Sequence, residues 1–198
     1  SGLADEGALL RKSGMQPGQT LILTKAIGTG ALFAAAMRGK ARGRWIDLAL
    51  AAMQVSQQAA GDILRAHGAT AMTDVTGFGL LGHLAEMARA SAVDAVIDPA
   101  SVPVLPGARD CIAAGIVSSL QPENLRQARV VAGDRTGRED DMALLVDPQT
   151  AGGLLAALPA DSAVAAISAL REGGYVDAAA IGRVIRRDGL DARIRLES

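Results

Sequence analysis

Apolar and polar positions along the chain fall into short runs that alternate between strand-like and helix-like spacing. Thr20-Leu21-Ile22-Leu23-Thr24 is a β-branched and aliphatic run of strand length, closed by Gly28 and Gly30, and a helix is predicted over 29–38. Residues 45–67 carry helical periodicity through Ile46, Leu50, Met53, Ala60 and Leu64, which predicts one long helix stopped by Gly68. A buried strand is expected over 69–73. The helix expected over 76–91 has Leu80, Leu81, Leu84, Met87 and Ala88 on one face. A strand at 95–97 and a helix at 107–114 follow. Residues 118–141 are polar and weakly patterned and read as a long excursion. Residues 143–147 and 153–157 read as two strands joined by the loop 148–152, and 162–172 as an amphipathic helix closed by Gly173-Gly174. Runs at 179–186 and 192–196 flank Asp188-Gly189, the signal of a hairpin.

Interleaved strands and helices of this kind predict an α+β fold, α/β layered, with a mixed β-sheet flanked by helices. Residues 1–19 are polar, carry the turn Gln16-Pro17-Gly18, and read as an arriving linker; 20–198 read as one domain. The chain starts at Ser1 without methionine, which suggests a processed or excised piece of something longer. No internal repeat or low-complexity tract is visible.

Composition narrows the function classes. A length of 198 residues with 49% hydrophobic and 21% charged positions is enough for a sizeable core and argues against disorder. A net charge of -1 gives no global field for nucleic acid or an anionic membrane, and 2% aromatics leaves no platform for stacking bases. Cys111 is the sole cysteine, so neither an internal disulfide nor a multi-cysteine metal cage can form, and a reducing cytoplasm is the natural home. The longest apolar stretches fall well short of the roughly 20 residues of a membrane span.

Candidate chemistry concentrates in Thr73-Asp74-Val75-Thr76-Gly77-Phe78-Gly79-Leu80-Leu81-Gly82-His83-Leu84. An acid stands where a buried strand ends, and two glycines where a helix begins. A strand-end carboxylate suits a hard cation such as Mg²⁺, and helix amides freed of Cβ crowding at Gly77 and Gly79 suit phosphate oxygens. The same residues also describe an ordinary helix cap and turn, and both readings stand on the residues alone.

That segment, continued as Ala85 to Ser91, closely resembles the hallmark of selenophosphate synthetases (selenide, water dikinases), within the aminoimidazole ribonucleotide synthetase-like superfamily. Residues 16–30, Gln-Pro-Gly-Gln-Thr-Leu-Ile-Leu-Thr-Lys-Ala-Ile-Gly-Thr-Gly, resemble the strand entering that family's C-terminal domain, and 147–155 its late signature loop. The resemblance implies the C-terminal domain of an enzyme that turns selenide, ATP and water into selenophosphate, AMP and phosphate with Mg²⁺. It further implies an N-terminal ATP-binding domain, absent here, that carries the reactive Cys or selenocysteine and its Lys. It assigns the C-terminal metal ligand to Asp74, makes Gly77 and Gly79 nucleotide-site residues that shape the same loop, leaves the fragment without its own catalytic residue, and implies a homodimer when full length. Ala26, Gln19-Thr20 and Ala151 depart from the family's usual Pro, Gly-Asp and Ser, and 118–124 replace its Pro-Gly-Gly-Thr before Asn. Such a variant fits synthetases fused to a flavin-containing oxidoreductase. A related synthetase or kinase for a small phosphorylated metabolite, or a non-catalytic assembly module, are the alternatives.

Other polar residues have two readings each. Lys25 at a strand end meets a phosphate or keeps only its stem buried. His83 and Glu86, at i and i+3, line the site or simply pair. His67 reads as structural near a helix end, and Cys111 as an ordinary helix residue. Arg38, Lys40, Arg42 and Arg44 grip a polyanion or form a solvated loop; Gln149, Thr150, Gly152 and Gly153 make an anion nest or a tight turn.

Overall fold

The computed structural model describes residues 10–128, 131–132 and 138–197. The first nine residues of the expected linker, and 129–130 and 133–137 of the expected excursion, lie outside them. Seven strands form one mixed sheet: β1 (Thr20–Leu23), β2 (Ala71–Asp74), β3 (Asp94–Ile97), β4 (Val131–Ala132), β5 (Leu154–Leu158), β6 (Ala179–Ile185) and β7 (Ile194–Leu196). Their order is β2-β5-β1-β6-β3-β7-β4. Pairing is antiparallel from β2 to β3 and parallel from β3 through β7 to β4.

Helices cover both faces, because successive strand residues point to opposite sides. On β1, Leu21 and Leu23 join an apolar cluster built with α1 (Thr29–Met37), α4 (Gly79–Ser91), α5 (Ala108–Ala113) and α7 (Glu139–Leu145). Ile22 faces the other way, toward α3 (Gln58–Ala66) and α8 (Ala163–Glu172). β5 behaves alike, with Leu155 and Ala157 on the first side and Ala156 and Leu158 on the second. Burial on both faces explains why β1 and β5 read as continuous apolar runs. The fold is thus the layered mixed sheet flanked by helices that the pattern predicts.

Four local expectations are corrected. The helix expected over 45–67 is two, α2 (Gly43–Gln54) and α3, with extended backbone at Val55. Tertiary groups claim the peptide groups there: Lys25 Nζ donates to Val55 O at 2.6 Å, and Tyr175 Oη donates to Ser56 O at 2.6 Å and accepts from Ala60 N at 2.9 Å. The strand expected at 143–147 is the end of α7, whose first turn carries Glu139, Asp140 and Asp141 against the positive helix terminus. A five-residue apolar run does not separate the two states.

The predicted hairpin around Asp188-Gly189 is absent, since β3 lies between β6 and β7. The fully buried carboxylate of Asp94 holds the connection across the end of β3, accepting from Arg193 N at 2.9 Å and Asp188 N at 3.1 Å. Part of the 118–141 excursion is helical as well, forming α6 (Gln121–Gln127).

Candidate functional site

Three chain segments meet at one end of the sheet: the end of β1 at Thr24-Lys25, the end of β2 at Asp74-Val75-Thr76, and the loop from Asp147 to Gly153 between α7 and β5. Thr24 Oγ1 accepts from Leu154 N at 2.8 Å and donates to Gln57 Oε1 at 2.8 Å, which locks the first segment to the third. Val75 N donates to Gly153 O at 2.9 Å and Gln149 N to Thr76 O at 3.0 Å, which locks the second to the third.

The structure brings Asp74 and Lys25 into one groove of about 370 Å³, shared with Val55, Gln57, Thr76 and Gly152. Asp74 is exposed there and takes part in no salt bridge among the described residues. Lys25 is buried, with 6% of its surface exposed, and its Nζ reaches the carbonyls of Val55 and, at 3.3 Å, Ala151. Burial holds its ammonium below the usual lysine pKa.

Gly77 lines a different groove of about 310 Å³ with Gly30, Phe33, Arg38, Leu120 and Thr150. A Cβ added at Gly77 would meet nothing within 4 Å. Gly79 is buried at φ +68°, and a Cβ there would sit 2.6 Å from the Val146 backbone. Its lack of a side chain therefore serves the turn and the approach of α7.

Three buried polar residues build this end: Asp147 and Asn124, which sequence reasoning did not single out, and Gln149, which it read as part of an anion nest or a tight turn. Asp147, with no exposed surface, accepts from Gly30 N at 3.0 Å and faces the Ala31 amide, so it caps α1. Burial pushes its carboxyl up to about 6 against those amides and a bond from Gln149. Gln149 Oε1 accepts from Gly28 N at 2.9 Å and Thr29 N at 3.2 Å, while its Nε2 donates to Asp147 Oδ2 at 3.0 Å. Thr150 N donates to Thr29 Oγ1 at 3.0 Å, so the amides of residues 149 and 150 are engaged in a turn that plugs α1. Asn124 Nδ2 donates to Gly77 O at 2.8 Å and Val146 O at 3.0 Å, tying α6 to the glycine loop. The signal available in sequence was a lone amide or acid flanking apolar runs; its partners lie up to 121 positions away.

His83, 4% exposed, receives Thr76 N on Nε2 at 3.0 Å, with Thr76 Oγ1 at 3.2 Å. Glu86 Oε2 lies 3.7 Å from its Nδ1 and 2.6 Å from Lys12 Nζ. The remaining sequence candidates lie elsewhere. His67 Nδ1 bonds Ile63 O at 2.8 Å within its own helix turn. Cys111 is buried, which raises its thiol pKa, with Asp110 and Asp147 adding to the effect. Arg38, Lys40, Arg42 and Arg44 are exposed on the α1–α2 connection, and Arg42 lies 5.1 Å over the Trp45 ring.

Comparison with known proteins adds the following. Residues 16–195 match the family model for the AIR synthase related protein, C-terminal domain. A selenide, water dikinase from Yersinia pestis is 39% identical over 171 residues, 85% of this chain and 49% of that protein. One from Geobacter metallireducens is 36% identical over 185 residues, 93% of this chain and 54% of that protein. The chain thus spans about half the length of the curated relatives it matches. Among solved structures, the hydrogenase maturation protein HypE matches with TM-score 0.66 and 20% identity, covering 93% of this chain and 49% of that one. Thiamine-monophosphate kinase from Stenotrophomonas maltophilia matches with TM-score 0.65 and 22% identity, covering 96% and 54%. At these identities the likeness is one of fold.

Proposed function

The chain belongs to the AIR synthase related protein C-terminal domain family, and on that premise we propose that it is the C-terminal half of a selenide, water dikinase. The whole enzyme makes selenophosphate, AMP and phosphate from selenide, ATP and water. One observation carries the reading. The acid of the segment Thr73 to Leu84 stands exposed at a strand end, in a groove, without a salt-bridge partner among the described residues.

A Mg²⁺ ion fits this arrangement as a shared ligand. Asp74 offers a hard carboxylate oxygen. Among the described residues no group of three or more His, Cys, Asp or Glu is placed to hold a metal, so the remaining ligands belong to a companion ATP-binding half. When bound, the ion would offset phosphate charge. The chain's own residues do the rest. Lys25 adds a buried positive charge to the groove wall, Gly79 lets the turn pack on α7, and Gly77 leaves the loop surface open to an approaching nucleotide. HypE, a protein of related fold, has been solved in complex with ATP.

Under this reading the partners are the companion half, ATP, selenide and a second copy of the full-length protein. The setting is a reducing cytoplasm, and a fused flavin oxidoreductase is a further partner. The isolated chain folds without turnover. Selenide-dependent AMP formation tests the proposal: the full-length enzyme works, while its Asp74→Ala variant and the isolated chain do not. Turnover by the isolated chain at the complete enzyme's rate, or full activity of Asp74→Ala, would refute it.

A further inference from the structure

Asp74 has no salt bridge of its own among the described residues, so its direction is inherited from the backbone behind it. That backbone is fixed at Val75 N by Gly153 O at 2.9 Å, and at Thr76 O by Gly79 N and Gln149 N, each at 3.0 Å. All of these partners are main-chain groups. Side chains hold three further points: Thr73 Oγ1 donates to Asp74 O at 3.3 Å, Asn124 Nδ2 donates to Gly77 O at 2.8 Å, and Thr76 N donates to His83 Nε2 at 3.0 Å, the ring coming from the second turn of α4. We propose that His83 is a positioning residue for Asp74: as the neutral imidazole with its proton on Nδ1, it holds the strand-to-helix loop through the Thr76 amide. This rests on the metal-ligand reading of Asp74.

The tautomer follows from the donor. A backbone N–H can only donate, so Nε2 must present its lone pair, and the ring proton belongs on Nδ1. Nδ1 has no hydrogen bond among the described residues, but the Glu86 carboxylate stands 3.7 Å away, where it favours a proton on that nitrogen. Lys12 holds Glu86 at 2.6 Å. Phe78 covers the ring, with centroids 5.7 Å apart. Burial agrees, lowering the His83 pKa; Lys12 acts in the same sense, while Glu86 and Asp74 oppose it.

Two variants separate positioning from packing. His83→Gln can place an amide oxygen where Nε2 accepts, whereas His83→Leu fills space without an acceptor. Nitrogen-15 NMR of the 198-residue chain should show the Nδ1–H tautomer. Hydrogen exchange at the Thr76 amide should rise about ten-fold in His83→Leu and stay within about three-fold of wild type in His83→Gln. In the full-length enzyme, the KM for Mg²⁺ should rise about ten-fold in His83→Leu with kcat within about two-fold, and His83→Gln should restore it. An Nε2–H tautomer, or Thr76 exchange and Mg²⁺ dependence unmoved in His83→Leu, would overturn the inference. If His83→Leu does not fold, the ring tautomer and His83→Gln decide: a Gln variant with Thr76 exchanging ten-fold faster despite its acceptor overturns it. Should Asp74→Ala retain turnover while tautomer and exchange behave as stated, the ligand reading fails and the loop-holding role of His83 stands.

Discussion

At the end of β2, Asp74 is exposed, opens on a groove, and has no salt bridge among the described residues. Asp147, which also follows an apolar run and precedes a glycine-containing turn, is wholly buried and accepts from Gly30 and Gln149. What separates them is the nearest helix start. Asp147 faces the first turn of α1, whose free amides and positive end draw it in. The helix after Asp74 begins five positions later, and the intervening peptide groups are engaged with Gly153, His83, Gln149 and Asn124. An acid before a glycine turn therefore becomes a cap or stays exposed according to which amides remain unsatisfied within its reach.

The contrast can be broken most directly at Asp74. On the proposed reading, in the full-length enzyme Asp74→Asn is expected to lower turnover about 100-fold or more, because it would remove the charged Mg²⁺ ligand. Its midpoint in urea should stay within about 0.5 kcal/mol of wild type, since the side chain is exposed. A large loss of stability would mean that Asp74 too is a structural acid.

Asp147 should show the opposite profile. Its folded pKa of about 6 lies above the ordinary aspartate value of 3.8. Between those values the folded state binds the extra proton, so stability falls as pH rises through the window and levels off above it. The swing is about 3 kcal/mol, as an order of magnitude. Urea melts from pH 4 to 7 should show that fall in wild type and a nearly flat line in Asp147→Asn. An equal slope in both would remove Asp147 as its source.

Glycines flanking the two acids sharpen the comparison further. Gly79→Ala should cost about 2 kcal/mol, because φ is +68° and the Val146 backbone blocks the new methyl. Gly77→Ala, facing open space, should change stability by no more than about 0.5 kcal/mol. Chemical denaturation of both variants checks the pair; equal effects would mean that the loop is not organised as described.

Much of the sheet was legible because β1, β2, β5 and α8 announce themselves through local periodicity. The elbow at Val55 was not, because it depends on Lys25 and Tyr175, which arrive from far along the chain. α7 was missed because its apolar residues form a short unbroken run; β7 lies within the run read at 192–196, but its pairing was misassigned because Asp94 rather than a tight turn directs the chain there. At the site, Asp74 could be found from its place between strand and helix. The roles of Gln149 and Asn124 could not, since nothing near either residue in sequence names the helix or loop that it satisfies.

The plug at α1 sets a limit on what this half of the molecule can offer an anion. Its nine-residue helix spends the positive end of its dipole on an internal carboxylate and an internal amide oxygen. A polyphosphate drawn toward the same rim would meet a terminus already neutralised and a second acid standing open beside it. Beyond Lys25, countercharge for such a guest would, on the proposed reading, come from ions or from the companion half, so that assembly would be an electrostatic need as well as a matter of shape.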